Sequence, residues 1–278
     1  MKHLAPFLAA ITLSGAAHAA STFIYVAGEN GAFGAFDLAT REYQQISSNA
    51  FANTHLMGLA YDSSTETLYY NARRGAGELH TINLLSGSSI SALPYDNNGA
   101  AGDMIGLASN NAGLLYTYNY GNDAIFSVNP ATAVGTQIAG GGSGLTSGSA
   151  LTGKLAFLGS TLYGAMSLQT PSSNGLYSFN TSTGAYTFIG NGGQTAIYTD
   201  LIIFSSGSTL YGLNGTTLYQ VDPSNGNLSS LGALSGENLP ASFRGAAIPE
   251  PSTSLLGAAG AIGLLLARRR QRGAGRQG

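Results

Sequence analysis

Between residues 20 and 247 the apolar positions come in short runs. Three to six apolar or aromatic residues alternate with clusters of Gly, Asn, Ser and Asp. Runs of this length, bounded by turn formers, read as strands and turns. No window of useful length in this region has helical spacing. The pattern predicts an all-β domain made of many short strands.

The runs also repeat. A Leu-Tyr pair leads through a loop to a strand of the form apolar, aromatic, any, apolar, Asn/Asp, followed by a polar turn with Gly. Leu68-Tyr69 leads to LHTIN (79–83), Leu115-Tyr116 to IFSVN (125–129), Leu162-Tyr163 to LYSFN (176–180) and Leu210-Tyr211 to LYQVD (218–222). A degenerate first copy runs from Ile24-Tyr25 to FGAFD (33–37). The paired tyrosines fall at 25, 69, 116, 163 and 211, at steps of 44 to 48 residues. Each full copy opens with a small apolar strand: MGLAY (57–61), IGLAS (105–109), KLAF (154–157) and LIIF (201–204). Later copies add a closing strand, YTFIG (186–190) or LSSLG (228–232). Four strands in about 40–50 residues is the size of one propeller blade.

The first copy lacks an opening strand. After the fifth copy an unpaired strand of that type appears, FRGAAI (243–248), which supplies it from the other end of the chain. The expected fold is therefore a five-bladed β-propeller over residues 20–248, closed by its C-terminal strand. A six-bladed propeller and a β-sandwich are the alternatives, and the Gly/Ser-rich stretch 140–149 bears on the blade number. The recurrent Asp or Asn ending each third strand is expected to form turns rather than bind ligands, because its side chain bonds nearby backbone.

The two ends differ from the body. Residues 1–19 combine Lys2, an apolar stretch from 4 to 13, and a small-x-small site at Ala17-His18-Ala19. This reads as a signal peptide, expected to be cut by signal peptidase at Ala17–Ala19 to leave Ala20 first. At the other end, residues 254–267 carry no charge. Fourteen residues fall short of the roughly 20 a spanning helix needs. Arg268, Arg269 and Arg270 follow at once, which marks a cytoplasmic flank and turns the stretch into a short transmembrane helix with the body outside.

Pro249-Glu250-Pro251-Ser252, the short Gly/Ala/Leu helix and the Arg block together resemble the PEP-CTERM sorting signal, over residues 249–272. That signal occurs on exported proteins of Gram-negative bacteria and is recognised by the exosortase, a membrane-embedded cysteine-type transpeptidase or protease. The resemblance implies processing near Pro249, Glu250 and Pro251, then release or transfer to the cell surface or extracellular matrix. It implies nothing about the body.

Composition narrows what the body does. Charged residues make up 9% of the chain, against about 25% in an ordinary soluble domain. Residues 20–247 hold five basic and twelve acidic side chains, a net charge of −7. An acidic body with one lysine argues against nucleic acid as a partner, since that binding rests on phosphate neutralisation. There is no cysteine, so neither disulfides nor thiol chemistry are available.

Candidate chemistry is sparse. His80 occupies the aromatic slot of the repeat and reads as structural. His55 lies just before a blade strand and lacks ligand partners at metal spacing. Asp103, Asp123 and Asp200 could meet near the axis, where Ca²⁺ would favour oxygen ligands; no other cofactor is expected. The stretch YTYNYGND (116–123) could present tyrosines to a sugar, and Arg73-Arg74 is the only basic pair of the body. Two functions follow: an interaction platform for exopolysaccharide or another surface protein, or a metal-assisted, lactonase-like propeller hydrolase.

Overall fold

The structure, a computed structural model, describes residues 23–248 apart from 30, 52–54, 74–76, 97–103, 120, 122, 139–149 and 169–170. Within these, the chain forms five four-stranded antiparallel sheets. Blade 1 contains β1 (Phe23–Gly28), β2 (Phe33–Asp37) and β3 (Tyr43–Ser47). Blade 2 runs from β4 (His55–Asp62) through β5 (Thr67–Arg73) and β6 (Glu78–Ile82) to β7 (Ser89–Pro94). Blade 3 is β8 (Met104–Ser109), β9 (Leu115–Asn119), β10 (Ala124–Val128) and β11 (Gly135–Gln137). Blade 4 is β12 (Ala150–Leu158), β13 (Thr161–Leu168), β14 (Gly175–Phe179) and β15 (Tyr186–Gly190). After a single helical turn, α1 (Thr195–Tyr198), blade 5 follows as β16 (Ile202–Ser206), β17 (Thr209–Asn214), β18 (Thr217–Val221) and β19 (Leu228–Ala233).

The last strand, β20 (Phe243–Ala247), returns to blade 1 and lies antiparallel to β1, with Val26 opposite Ala246 and Tyr25 opposite Ala247. The inner strands β20, β4, β8, β12 and β16 each meet the next, and β16 meets β20, so the ring is closed. The result is the five-bladed propeller. Five sheets around one axis leave no place for the two-sheet sandwich.

Each blade is buried on both faces. The core is accordingly divided into five apolar clusters, one in each gap between neighbouring blades. This explains the Leu-Tyr pair. Successive strand residues point to opposite faces. Leu68 faces the gap towards blade 1 and Tyr69 the gap towards blade 3. Leu115 and Tyr116, Leu162 and Tyr163, Leu210 and Tyr211, and Ile24 and Tyr25 divide in the same sense. The aliphatic residue fills the preceding gap and the aromatic one the following gap, all the way round.

The turn reading holds in all five copies. Asp37, Asn83, Asn129, Asn180 and Asp222 each accept a hydrogen bond on Oδ1 from the amide two residues on, at 2.8–2.9 Å. Their own carbonyls accept from the amide four residues on, which belongs to Arg41, Gly87, Ala133, Gly184 and Gly226. Every one of these five has a positive φ, between 54° and 72°.

Candidate functional site

The inner strands bring one residue each to a common level on the axis: Gly58, Gly106, Lys154, Ile202 and Gly245. Three are glycines because the strands approach too closely for a side chain. A Cβ on Gly58 would lie 2.6 Å from the Gly106 carbonyl carbon, and one on Gly245 would lie 2.7 Å from the Leu59 Cβ. The space left between the five strands is about 10 Å³, room for one water.

Lys154 occupies this level as the one charged residue among the five. It is 8% exposed, and its Nζ donates to the Met57 carbonyl at 2.8 Å. Met57 lies on β4, whereas Lys154 lies on β12, and β8 separates the two in the ring. The side chain therefore crosses the axis. Burial pulls its pKa down to about 7, the nearby Arg244 charge adds to this, and Asp200 opposes it.

Arg244 lies one residue before Gly245, towards the mouth where the inner strands begin. Its Nη2 donates to Glu29 at 2.7 Å, and its Nη1 lies 4.0 Å from Asp200. The Ser242 hydroxyl also donates to Glu29. This hydrogen bond first, then Arg244, holds the Glu29 carboxyl below its ordinary range.

The opposite mouth, where the inner strands end, is a funnel of about 610 Å³ lined from all five blades. Leu59, Leu107, Leu155 and Ala246 form its floor, Tyr61, Phe157 and Phe204 its wall, and Ser109, Asn110, Ser205 and Ser206 its rim. None of its lining residues is charged. The funnel lining is thus uncharged, with Asp37, Arg41, Glu66 and Asp222 on the turns outside it, whereas the other mouth is built around Glu29, Asp200 and Arg244; the Lys154 level separates the two.

Between them, blades 2 and 3 are tied by buried polar groups. Asn71 on β5 donates to the carbonyls of Met104 and Gly106 at 3.1 and 2.9 Å, and Thr117 donates to Gly106 at 2.8 Å. The β8–β9 register shifts between Ile105 and Ala108, so the Gly106 carbonyl is taken up by side chains instead of the sheet ladder.

The residues singled out by sequence fall as follows. His80 stacks on Tyr70 at 4.4 Å and bonds Ser89 and Glu78, the bonds of a structural residue. Burial lowers its pKa, while Glu78 works the other way. Asp123 accepts from the Tyr118 hydroxyl at 2.6 Å, and Asp200 belongs to the Arg244 network. Asp103 and the His55 side chain lie outside the described residues. Among those described, no three His, Cys, Asp or Glu side chains gather as a metal would require. The idea of a tyrosine surface for sugars is corrected for Tyr116 and Tyr118: both are buried in the gap between blades 3 and 4. Ala17, Ala19, Pro249, Glu250, Pro251, Arg268, Arg269, Arg270 and the helix expected at 254–267 lie outside the described residues. Among the described residues no helix is long and apolar enough to cross a membrane.

Lys154 was visible in the sequence only as the lone lysine of the body. Its alignment with Gly58 and Gly106 in the opening strands was the signal that set it apart: a charge where neighbouring copies have no side chain at all.

Ile248 lines the funnel beside Ala246 and Ala247, so the chain leaves the ring at the funnel mouth. Residues 247–271 match the family described as the PEP-CTERM protein-sorting motif. The chain carries a PEP-CTERM sorting motif. That motif begins on Ala247, the last residue of β20, which is buried in the closed ring. The motif and the body therefore share a residue, with no linker between them.

No curated protein matches the chain. Solved structures resemble it in fold. A chain of a nidogen/laminin complex aligns with TM-score 0.54 and 13% identity, covering 82% of this chain and 98% of that one. A virginiamycin B lyase from Staphylococcus aureus aligns with TM-score 0.44 and 13% identity over 76% and 70%. A gluconolactonase from Xanthomonas campestris aligns with TM-score 0.48 and 15% identity over 78% and 79%.

Proposed function

We propose that the protein is an exported, exosortase-sorted component of the cell surface or extracellular matrix, and that its propeller is a rigid interaction platform. The observation that carries this reading is the PEP-CTERM motif joined without a linker to a closed five-bladed ring. Signal peptidase removes residues 1–19. The segment 254–267, with Arg268, Arg269 and Arg270 on the cytoplasmic side, holds the precursor in the membrane until the exosortase acts near Pro249–Pro251. The mature body then displays the Glu29, Asp200 and Arg244 mouth to exopolysaccharide or to other surface proteins, whose polar groups suit its mixed charges.

Mass spectrometry of the mature protein from its own host tests this. The expected chain begins at Ala20 and lacks Arg268–Arg270. A mature chain that retains the Arg block overturns the sorting part. Binding of the purified body to the host's extracellular polymer, weakened by Arg244→Ala, tests the platform part. Calcium enters the proposal only through Asp103, Asp123 and Asp200, and elemental analysis of the purified body decides whether it is bound.

A further inference from the structure

We infer that the funnel mouth of the propeller is the face that docks against the membrane-embedded exosortase. The inference rests on the sorting reading above and adds which surface of the body that enzyme meets.

The first observation is the point of exit. Ala246, Ala247 and Ile248 line the funnel, and the motif begins at Ala247. Ala247 is held opposite Tyr25 in the β20–β1 ladder and is packed between blades 1 and 2. Pro249 is therefore two residues from a fixed, buried position at the funnel mouth.

The second is length. Five residues separate Ile248 from the uncharged stretch that starts at 254. Fully extended, six steps span about 20 Å. A folded body of this size has a radius of gyration of about 17 Å, so a path from the axis over the rim to the other face is on the order of 40 Å. The tether cannot make that turn. Whatever holds residue 254 in the bilayer also holds the funnel towards it.

The third is charge. No residue lining the funnel is charged, whereas Glu29, Asp200 and Arg244 gather at the other mouth. An enzyme that must grip peptide beside Pro249 has two options. It can pull β20 out of the ring, exposing Phe243 and Ala246 from their cluster with Ile24 and Val26. Or it can seat on the funnel rim with the ring intact, where no lining residue is charged and the nearest charged turn is that of Glu66. The second route leaves the fold undisturbed.

The chain contains no cysteine, so single-cysteine variants can be labelled cleanly. Full-length precursor is isolated in membranes from a strain without exosortase. Ser206→Cys, on the funnel rim, and Ser172→Cys, in the exposed β13–β14 connection at the opposite end of blade 4, are each coupled to a polyethylene-glycol maleimide. Exosortase-containing membranes are then added. Labelling at Ser206→Cys is expected to slow processing about tenfold or more relative to the same unlabelled variant, and labelling at Ser172→Cys to change it less than about twofold. A Gly/Ser spacer between Ile248 and Pro249 of about ten residues, with a coil span of roughly 17–19 Å, should restore processing of the rim-labelled protein. Equal rates for the two labelled proteins would overturn the inference. No processing of the unlabelled chain would instead remove the sorting reading, and the docking face with it.

Discussion

A lysine ammonium with one hydrogen bond, held across the axis of a ring, is charged at a cost. Lys154 is in that position, and burial first, then Arg244, accounts for its lowered pKa. The unfolded chain would bind this proton up to the ordinary lysine range, while the folded chain releases it near pH 7. Between these limits the unfolded state binds more protons, so stability rises with pH. Denaturant unfolding from pH 6 to 9 should show that rise. Lys154→Met should abolish it and stabilise the fold at pH 6 by about 1–3 kcal/mol, as replacement of buried charges often does. A flat profile in the parent protein would sink this account. Gly226 gives a second test at this scale. Its φ is 72°, and a Cβ there would overlap the Gly190 carbonyl. Gly226→Ala should cost about 2 kcal/mol or more, read as a fall in Tm of roughly 4–8 °C.

At the scale of the element, the Asp/Asn turn and the Leu-Tyr strand were both legible. Each is written in local sequence: the side chain of Asp222 bonds a residue two positions on, and alternation alone sends Leu210 and Tyr211 into different gaps. Asp222→Ala should therefore lower the melting temperature slightly by removing a side-chain cap, and Leu210→Ala should cost about 2–5 kcal/mol, since it leaves a cavity in the gap between blades 4 and 5. Thermal unfolding of the two variants checks the order: the leucine variant melts well below the aspartate variant. The outer strands of the first three blades were less legible. In β7 (Ser89–Pro94) almost every residue faces solvent, so neither alternation nor apolar runs mark it. The axial glycines were invisible for the opposite reason. What requires Gly58 is the backbone of Gly106 and Leu107, 48 residues away in the chain, and no local pattern encodes that approach.

For the whole molecule, closure depends on five residues at the end of the body. Truncation after Ile248 removes the sorting tail and should leave the melting temperature unchanged. Truncation before Phe243 removes β20, opens the edge of β1 and strips Phe243 and Ala246 from the gap between blades 5 and 1. That shorter chain should melt at lower temperature and be cut rapidly by proteases within blade 1. Limited proteolysis of the two truncated proteins separates these outcomes. The five-fold repeat and the split first blade could be read from spacing. The two unlike mouths could not, because the funnel is assembled from residues up to 189 positions apart and Glu29 and Arg244 are 215 apart.

The pairing of Val26 with Ala246 also fixes an order of events in time. Synthesis delivers β1 first and β20 last. Blades 2 to 5 can form as local hairpins while the chain is still growing, but the inner edge of β1 stays open throughout. Joining it to β20 closes a loop of more than 200 residues, and such non-local contacts form slowly. The slow phase of refolding should therefore be the seating of the last strand. An open β1 edge, not a loosened core, would be the species that seeds aggregation when that seating is delayed.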